Sequence, residues 1–197
     1  MLHSVPIITR TSGPCQMRLP IDRLRQPRYC MSVASGVFAG SFDPPTIGHL
    51  DIIESALDIL DCLHVVIAAN PEKRSMFSIE ERLAMLASMN RFGKRVKVSA
   101  WEGLVAEFAA SNGCAVLVRG IRNPSELPYE STMAYMNRRL APGVQTIFFL
   151  CRPEHMDISS TLVRDILSHG KLPQGLVTPE VAKMIGDIFK TRGKPLS

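Results

Sequence analysis

The fold is decided by residues 33–49, which read VASGVFAGSFDPPTIGH. The first seven residues are small or apolar and have the length of a strand, and Gly40 follows them. A proline-containing turn comes next, and from His49 apolar residues recur at helical spacing through residue 60. The stretch therefore predicts a buried strand, a tight turn and a helix in direct succession.

The same alternation continues outward from this stretch. With the strand at 33–39, further brief apolar strands are predicted at residues 63–69, 96–100, 115–118 and 145–150. Helices are predicted at residues 49–60, 78–89, 102–111, about 130–140, about 160–168 and 179–189. Two of them have start signals, a capping box of Ser78 with Glu81 and an N-cap Thr178 before Pro179. We therefore expect an α/β fold, a Rossmann-like doubly wound sheet of five parallel strands with helices on both faces and C-terminal helices.

Composition and charge argue against a membrane-spanning protein and against a nucleic-acid-binding domain. The chain has 197 residues, of which 46% are hydrophobic and 21% charged, as in a soluble globular domain. No apolar run approaches the roughly 20 residues of a membrane span. The net charge of +5 is concentrated in residues 1–35, which hold five arginines and one acidic residue. Because the rest of the chain is nearly balanced, the charge does not indicate a nucleic-acid-binding domain.

The first 32 residues show neither helical nor strand periodicity and contain several prolines. We assign residues 1–32 to a disordered or targeting N-terminal extension and residues 33–191 to one domain. A start codon placed too early, ahead of Met31, is the alternative.

Five cysteines without C-x-x-C spacing are interpreted as free thiols, so we expect a reducing compartment, the cytoplasm. Cys62 and His64 form a C-x-H pair within a predicted strand. We interpret them as a structural pair, because zinc usually takes four ligands.

The turn after the first strand is the densest polar signal in the chain. Ligands of parallel α/β sheets bind at the carboxyl ends of strands, and a helix N-terminus offers unpaired N–H groups to phosphate. Thr46 and His49 lie three residues apart across the helix start, so both can face one bridging phosphate. The alternative is a polar loop with a capping threonine and an incidental histidine.

A second cluster of hydroxyls precedes a late helix. Asp157, Ile158, Ser159, Ser160 and Thr161 are consecutive, and Arg164 follows them. Hydroxyls beside free N–H groups suit the outer phosphates of a nucleotide, although serine and threonine are also favoured at ordinary N-caps.

Together these motifs resemble the nucleotidylyltransferase superfamily, through T-x-G-H at residues 46–49 and I-S-S-T at 158–161. The residues between them resemble the bacterial-type phosphopantetheine adenylyltransferase family. These are the motifs NPEKRSMF (70–77), IEER (79–82), VRGIR (118–122), YE (129–130) and MNR (136–138). The resemblance covers about residues 36–189 in the expected order.

The resemblance implies transfer of AMP from ATP to 4′-phosphopantetheine, giving dephospho-coenzyme A and pyrophosphate by direct in-line attack. It implies His49, Lys73 and Arg122 as catalytic residues. Substrate contacts are implied for Ser41, Lys73, Val105 and Arg119. ATP contacts are implied for Ser41, Phe42, His49, Gly120, Ile121, Arg122, Glu130, His155, Met156, Asp157, Ile158, Ser159, Ser160 and Thr161.

The residue types agree with this reaction, because two polyanions need cations to approach one another. Lys73, Arg119 and Arg122 are expected on loops after successive strands, the alternative for each being a solvated surface charge. Mg²⁺ is expected as the cofactor, held mostly by phosphate oxygens and water, and no metal ligands are assigned. The resemblance also implies a homohexamer, and neither nucleic acid nor membrane is expected as a partner.

The sequence departs from the family in two places. Glu126, Leu127 and Pro128 replace an Asp-Phe-Glu run, and Pro128 is expected to stiffen a loop there. His155 stands where a tryptophan is common. Two alternatives remain open: a nicotinate-mononucleotide adenylyltransferase, which I-S-S-T with Arg164 also resembles, and a non-catalytic nucleotide-binding or RNA-associated module.

Overall fold

Five parallel strands form a sheet in the structure, a computed structural model that describes residues 34–69, 74–194 and 196. The strands are β1 (Ser35–Gly40), β2 (Cys62–Ala69), β3 (Val96–Glu102), β4 (Val116–Ile121) and β5 (Gln145–Leu150). Every neighbouring pair is parallel. The predicted parallel sheet is confirmed.

The strand order β3-β2-β1-β4-β5 reverses direction at the first strand. The chain adds β2 and β3 on one side of β1 and then places β4 and β5 on the other side. β1 and β4 are therefore neighbours whose connections leave in opposite directions. Such a switch point leaves a crevice at the carboxyl ends of the strands.

Six α-helices connect and follow the strands. They are α1 (Ile47–Leu57), α2 (Ile79–Ser88), α3 (Val105–Ser111), α4 (Leu127–Leu140), α5 (Ser160–Ser168) and α6 (Pro179–Thr191). Both predicted start signals are present: the Ser78 and Glu81 side chains each accept the other's backbone N–H, and Thr178 accepts from Val181.

Side chains alternate between the two faces of β1, which explains why helices cover both faces. Phe38 packs with Ile52 and Ile53 of α1. Val37, the preceding residue, packs with Phe108 of α3 on the opposite face. The doubly wound arrangement is confirmed.

The C-terminal helices form a third apolar cluster with α2. Met85 of α2, Leu167 of α5 and Ile185 of α6 are all buried in it. This packing fixes α5, whose first turn begins at Ser160.

Several element boundaries differ from the sequence prediction; α1 spans Ile47–Leu57 instead of 49–60, for example, and α3 begins at Val105 instead of 102. β4 continues through Ile121 because Arg119, Gly120 and Ile121 stay paired with β5. Arg119 is therefore a strand residue and not a loop residue. Pro128 lies in the first turn of α4, where a missing N–H costs nothing, so the expected stiffened loop is wrong.

Within the described ranges, no helix is long and apolar enough to cross a bilayer. The N-terminal extension predicted at residues 1–32 falls outside the described residues. Its boundary with the domain at 33–191 stays a prediction.

Candidate active site

A cavity of about 310 Å³ opens where β1 and β4 end side by side. It brings together many of the residues singled out from the sequence. These are Ser41, His49, Arg119, Gly120, Arg122, Glu130, Ile158, Ser159, Ser160 and Thr161. We call this cavity the switch-point pocket.

The turn that leaves β1 is held from α2 and from the segment before it. The buried carboxylate of Asp43 accepts the backbone N–H groups of Met76 and Phe77, each at 2.9 Å. Arg82, which is 5% exposed, donates from Nη1 to the carbonyl oxygen of Ser41 at 2.8 Å. The peptide that carries Ser41 is thus fixed by buried hydrogen bonds.

Helix α5 holds the same turn from the other side. Nη1 of Arg164 donates to the carbonyl oxygen of Asp43 at 2.7 Å, and the Ser160 hydroxyl donates to that of Pro44 at 2.8 Å. Arg164 also donates from Nη2 to the Thr161 hydroxyl at 3.2 Å. The first turn of α5 and the turn that leaves β1 therefore form one wall of the pocket.

Thr46 fixes the orientation of the His49 ring. The backbone N–H of Thr46 donates to Nδ1 of His49 at 3.0 Å, and the Thr46 hydroxyl lies 2.9 Å from the same nitrogen. Because Nδ1 accepts an N–H, it carries no proton, and Nε2 holds the proton of the neutral ring. Burial, with the positive charge of Arg122 adding to it, lowers the pKa of His49 to about 4. At neutral pH His49 is an uncharged donor.

Phe42 lies in the core and does not line the switch-point pocket. Its ring is fully buried and packs against the His49 ring with 4.9 Å between centroids. Its φ of +46° is unusual for a residue with a side chain. An ATP contact at this position is therefore restricted to its backbone.

Two of the three arginines that line the pocket, Arg119 and Arg122, are paired with carboxylates of the α4 region. Arg119 makes two hydrogen bonds of 2.7 Å to Glu130 and a third, of 3.2 Å, to the carbonyl oxygen of Ala39. Arg122 bonds Glu126 at 2.6 Å, and its backbone N–H donates to the same carboxylate. The Arg119 and Arg122 side chains are 36% and 40% exposed, so solvent and small anions can reach them.

Gly120, which lies between these arginines in the sequence, allows β4 to pack closely against α1. A Cβ at this position would lie 2.8 Å from Cγ1 of Ile52 in α1. The strand can approach the helix only without a side chain there.

The hydroxyl residues 159–161 line the switch-point pocket, and the first of them also caps helix α5. Ser159 is the N-cap of α5, and its hydroxyl accepts the Leu162 N–H at 3.1 Å. The free first-turn N–H groups of a helix remain available to an anion. The ordinary-cap interpretation therefore holds for the Ser159 side chain, while residues 159–161 all line the cavity.

Several predicted residues lie outside the switch-point pocket. Ile121 is buried, and Met156 and Asp157 are exposed, without lining the cavity. His155 faces Asp51 of α1, with its Nδ1 3.3 Å from the carboxylate. Lys73 lies outside the described residues.

Val105 lines a neighbouring cavity of about 230 Å³, which we call the α3–α4 groove. Its walls include Leu117, Tyr129 and Met133. Both cavities are lined by Arg119 and Glu130, so the groove meets the pocket at this ion pair.

Cys62 and His64 show no sign of a metal centre. The His64 ring packs edge-to-face on Phe108 with 5.7 Å between centroids. Among the described residues there is no cluster of three or more His, Cys, Asp or Glu suited to a metal ion.

Sequence reasoning missed three residues that shape the site together with Asp43. Asp43 and Arg82 fix the turn, Glu126 holds Arg122, and Asp51 holds the segment after β5. Only Glu126 had a local signal, since it lies four residues after Arg122.

Comparison with known proteins gives one consistent family. The cytidylyltransferase-like family model matches residues 37–166. A phosphopantetheine adenylyltransferase from Symbiobacterium thermophilum is 40% identical over 78% of this chain and 94% of its own length. One from Corynebacterium diphtheriae is 40% identical over 79% of this chain and 98% of its own length.

A solved structure shares the fold. A putative nicotinate-nucleotide adenylyltransferase from Vibrio parahaemolyticus superimposes with a TM-score of 0.57 over 77% of this chain and 97% of its own. At 21% identity, this likeness supports the fold alone.

Proposed function

We propose a reaction for the switch-point pocket on the basis of the family. The chain belongs to the cytidylyltransferase-like family and, within it, to the phosphopantetheine adenylyltransferases. The enzyme transfers the adenylyl group of ATP to 4′-phosphopantetheine and releases dephospho-coenzyme A and pyrophosphate. It is a nucleotidyltransferase of coenzyme A biosynthesis.

The observation that carries this function is the meeting of two cavities at Arg119. The switch-point pocket has cations and a helix N-terminus, which suit a triphosphate. The α3–α4 groove is mainly apolar around Val105, which suits a flexible pantetheine arm. A phosphate bound at Arg119 would therefore have its arm in the groove and its oxygens facing the pocket.

In the proposed reaction an oxygen of the 4′-phosphate attacks the α-phosphorus of ATP. The new P–O bond forms as the bond from the α-phosphorus to the bridging oxygen breaks, and that electron pair leaves with pyrophosphate. No protein nucleophile is needed, so catalysis consists of positioning and charge stabilisation. Nε2–H of His49 donates to the α-phosphate as its charge develops.

Arg119 and Arg122 act in this proposal by exchanging partners. Each holds a carboxylate in the described structure, and each is exposed enough for a phosphate to take the place of that carboxylate. Arg119 and Lys73 bind the acceptor phosphate, and Arg122 binds ATP. The carboxylates of Glu126 and Glu130 keep the arginines in place until the substrates arrive.

The remaining ATP contacts are proposed for the backbone at Ser41, Phe42, Gly120 and Ile121, for Glu130 and for residues 155–161. Residues 159–161 and Arg164 form the part of the wall best suited to the outer phosphates. Residues 155–158 serve the base end.

Mg²⁺ is the proposed cofactor. The pocket carboxylates of Glu126 and Glu130 are both engaged by arginines, so they do not form a protein cage for the ion. The ion would enter with ATP and be held by phosphate oxygens and water.

The enzyme is proposed to work as a homo-oligomer, a hexamer by resemblance. All fourteen residues of α4 are at least partly exposed, and its large side chains include Tyr129, Tyr135 and Met136, with exposures of 66%, 71% and 47%. An apolar helix face of this kind suits contact with a second copy. Light scattering of the wild type and of Tyr135→Glu tests this: we expect an oligomer that the substitution weakens, and a monomeric wild type contradicts it.

A cytoplasmic location is proposed on the cysteines. Cys62, Cys114 and Cys151 are free, as in a reducing compartment.

The acceptor assay tests the function. The purified chain is incubated with ATP, Mg²⁺ and either 4′-phosphopantetheine or nicotinate mononucleotide, and pyrophosphate is measured. We expect release with the first acceptor only. Release with nicotinate mononucleotide alone would transfer the assignment to the alternative enzyme, and ATP binding without release would favour the non-catalytic module.

A further inference from the structure

A buried carboxylate on α1 anchors the segment that follows β5. Asp51 is 2% exposed and lies two residues after His49 in the same helix. Its Oδ2 accepts the backbone N–H of Arg152 at 3.0 Å and lies 3.3 Å from Nδ1 of His155. Its Oδ1 lies 3.0 Å from Nε of Arg152. One hydrogen bond and two close polar contacts thus join this carboxylate to a segment about a hundred residues away along the chain.

The segment rests directly on the first turn of α1. A Cβ on Gly48 would lie 3.6 Å from the carbonyl oxygen of Ile158 and 3.9 Å from that of His155. The chain makes a short 3₁₀ helix at Pro153–His155 and then a turn in which the Ile158 N–H donates to the His155 carbonyl at 3.1 Å. Ile158 is buried and lines the switch-point pocket, so the position of the turn determines the shape of that pocket wall.

Fixed points limit the segment at both ends. Before it, the Cys151 N–H donates to the Ile121 carbonyl at the end of the sheet. After it, the Ser160 hydroxyl donates to the Pro44 carbonyl. Among the described residues, Asp51 is the one side chain that accepts a backbone N–H of residues 152–158.

We propose that Asp51 is a positioning residue for nucleotide-base recognition: it holds residues 152–158 against α1 and thereby sets the affinity for the base end of ATP. This rests on the proposed function, in which that segment serves the base. Asp51 touches no phosphate position of the pocket, since it does not line the cavity. Its loss should therefore weaken binding of the base without weakening binding of the phosphates.

The test separates these two parts of the ligand. Dissociation constants for ATP, and for inorganic tripolyphosphate as its competitor, are measured on wild type, Asp51→Ala, Asp51→Asn and Glu54→Gln. Asn keeps an oxygen for the Arg152 N–H, which protects folding, but removes the charge that faces Arg152 and His155. Glu54 is the matched control, because it lies on the same helix and approaches Arg152 only at the guanidinium, 3.8 Å away.

We expect Asp51→Ala to weaken ATP binding about tenfold, as expected for a lost buried acceptor. Asp51→Asn should weaken it about threefold and Glu54→Gln should leave it unchanged, with tripolyphosphate unaffected in all three. In turnover assays KM for ATP should rise while kcat at saturating ATP stays unchanged.

Unchanged ATP affinity in Asp51→Asn and Asp51→Ala, or equal losses for ATP and tripolyphosphate, would overturn the proposal. If the wild type binds ATP without transferring AMP, the proposed function fails while the binding comparison still decides this inference.

Discussion

The two sides of the switch-point pocket are built by different forces. On the side of α1, the buried side chains of Asp43 and Arg82 and the partly buried side chain of Arg164 fix the turn by hydrogen bonds. On the side of α4, a helix without buried residues, half-exposed ion pairs hold Arg119 and Arg122. Buried bonds are costly to leave unmade, whereas exposed pairs are worth little and are readily exchanged. The comparison teaches that hydrogen bonds hold the first side in place, and it supports the proposal that the arginines of the second side change partners.

The largest effect is expected at His49 on the side of α1. His49→Ala should lower kcat by about 100-fold or more, the effect of losing one preorganised donor. The substitution leaves the turn bonds of Asp43 and Arg82 in place but removes the acceptor of the buried Thr46 N–H, so the unfolding midpoint should fall by only a few degrees. Steady-state kinetics and thermal unfolding measure the two quantities.

A pair of conservative variants sharpens this prediction. Gln carries an N–H near the position of Nε2 and Asn near that of Nδ1, so His49→Gln should retain more turnover than His49→Asn. Since the pKa of His49 is lowered to about 4, its neutral form persists on acidification, and wild-type kcat should show no His49 step near its ordinary value of 6.5. A loss of turnover centred there and absent from His49→Gln would contradict the neutral donor.

The next effect is expected at Asp43, which joins the turn to the segment before α2. Asp43→Asn leaves one amide oxygen for the two N–H groups of Met76 and Phe77, so we expect a loss of about 2 kcal/mol in the free energy of unfolding. Urea denaturation measures it, with the exposed Asp58→Asn as control. Equal, small losses in both variants would show that the side of α1 does not depend on these bonds.

A smaller effect is expected at Arg119 on the side of α4. Arg119→Lys loses the bidentate guanidinium that is proposed to bind the acceptor phosphate, so KM for 4′-phosphopantetheine should rise about tenfold. KM for ATP should change less. Arg139→Lys, an exposed substitution on the same α4 that touches neither cavity, serves as control in the same kinetic assay. A rise confined to KM for ATP would assign Arg119 to the other substrate.

The smallest effect is expected at Glu126. Because its pair with Arg122 is partly exposed, Glu126→Gln should cost less than about 1 kcal/mol of unfolding free energy. The neutral amide competes less with ATP for Arg122, so KM for ATP should fall slightly. A large loss of stability in urea denaturation would show that this side, too, is held firmly in place.

The sequence allowed the sheet and its helices to be predicted because their signals are local. The apolar runs of β1 and β2 and the capping box at Ser78 are such signals. Helix α4 was predicted to begin about three residues late, because none of its residues is buried and its periodicity is weak. Pro128 was misinterpreted because a proline in a first turn looks like a loop residue in sequence alone.

The site was predicted only where residues adjoin a strand end or a helix start, as His49, Arg119 and Ser160 do. Arg82, Arg164 and Asp51 act on carbonyls or N–H groups 41, 121 and 101 residues away, which no local pattern reveals. The contact of His155 with Asp51, which places its ring outside the switch-point pocket, likewise joins residues far apart in the sequence. Roles carried by the resemblance, such as that of Lys73, stay predictions.

The central claim is that the acceptor phosphate attacks the α-phosphorus of ATP directly, opposite the leaving pyrophosphate. Its most direct test is the stereochemical course of the reaction with ATP made chiral at the α-phosphorus by sulfur substitution, with 4′-phosphopantetheine as acceptor. A single in-line displacement predicts inversion at phosphorus in the dephospho-coenzyme A analogue. Retention would require an adenylylated enzyme and would contradict the account.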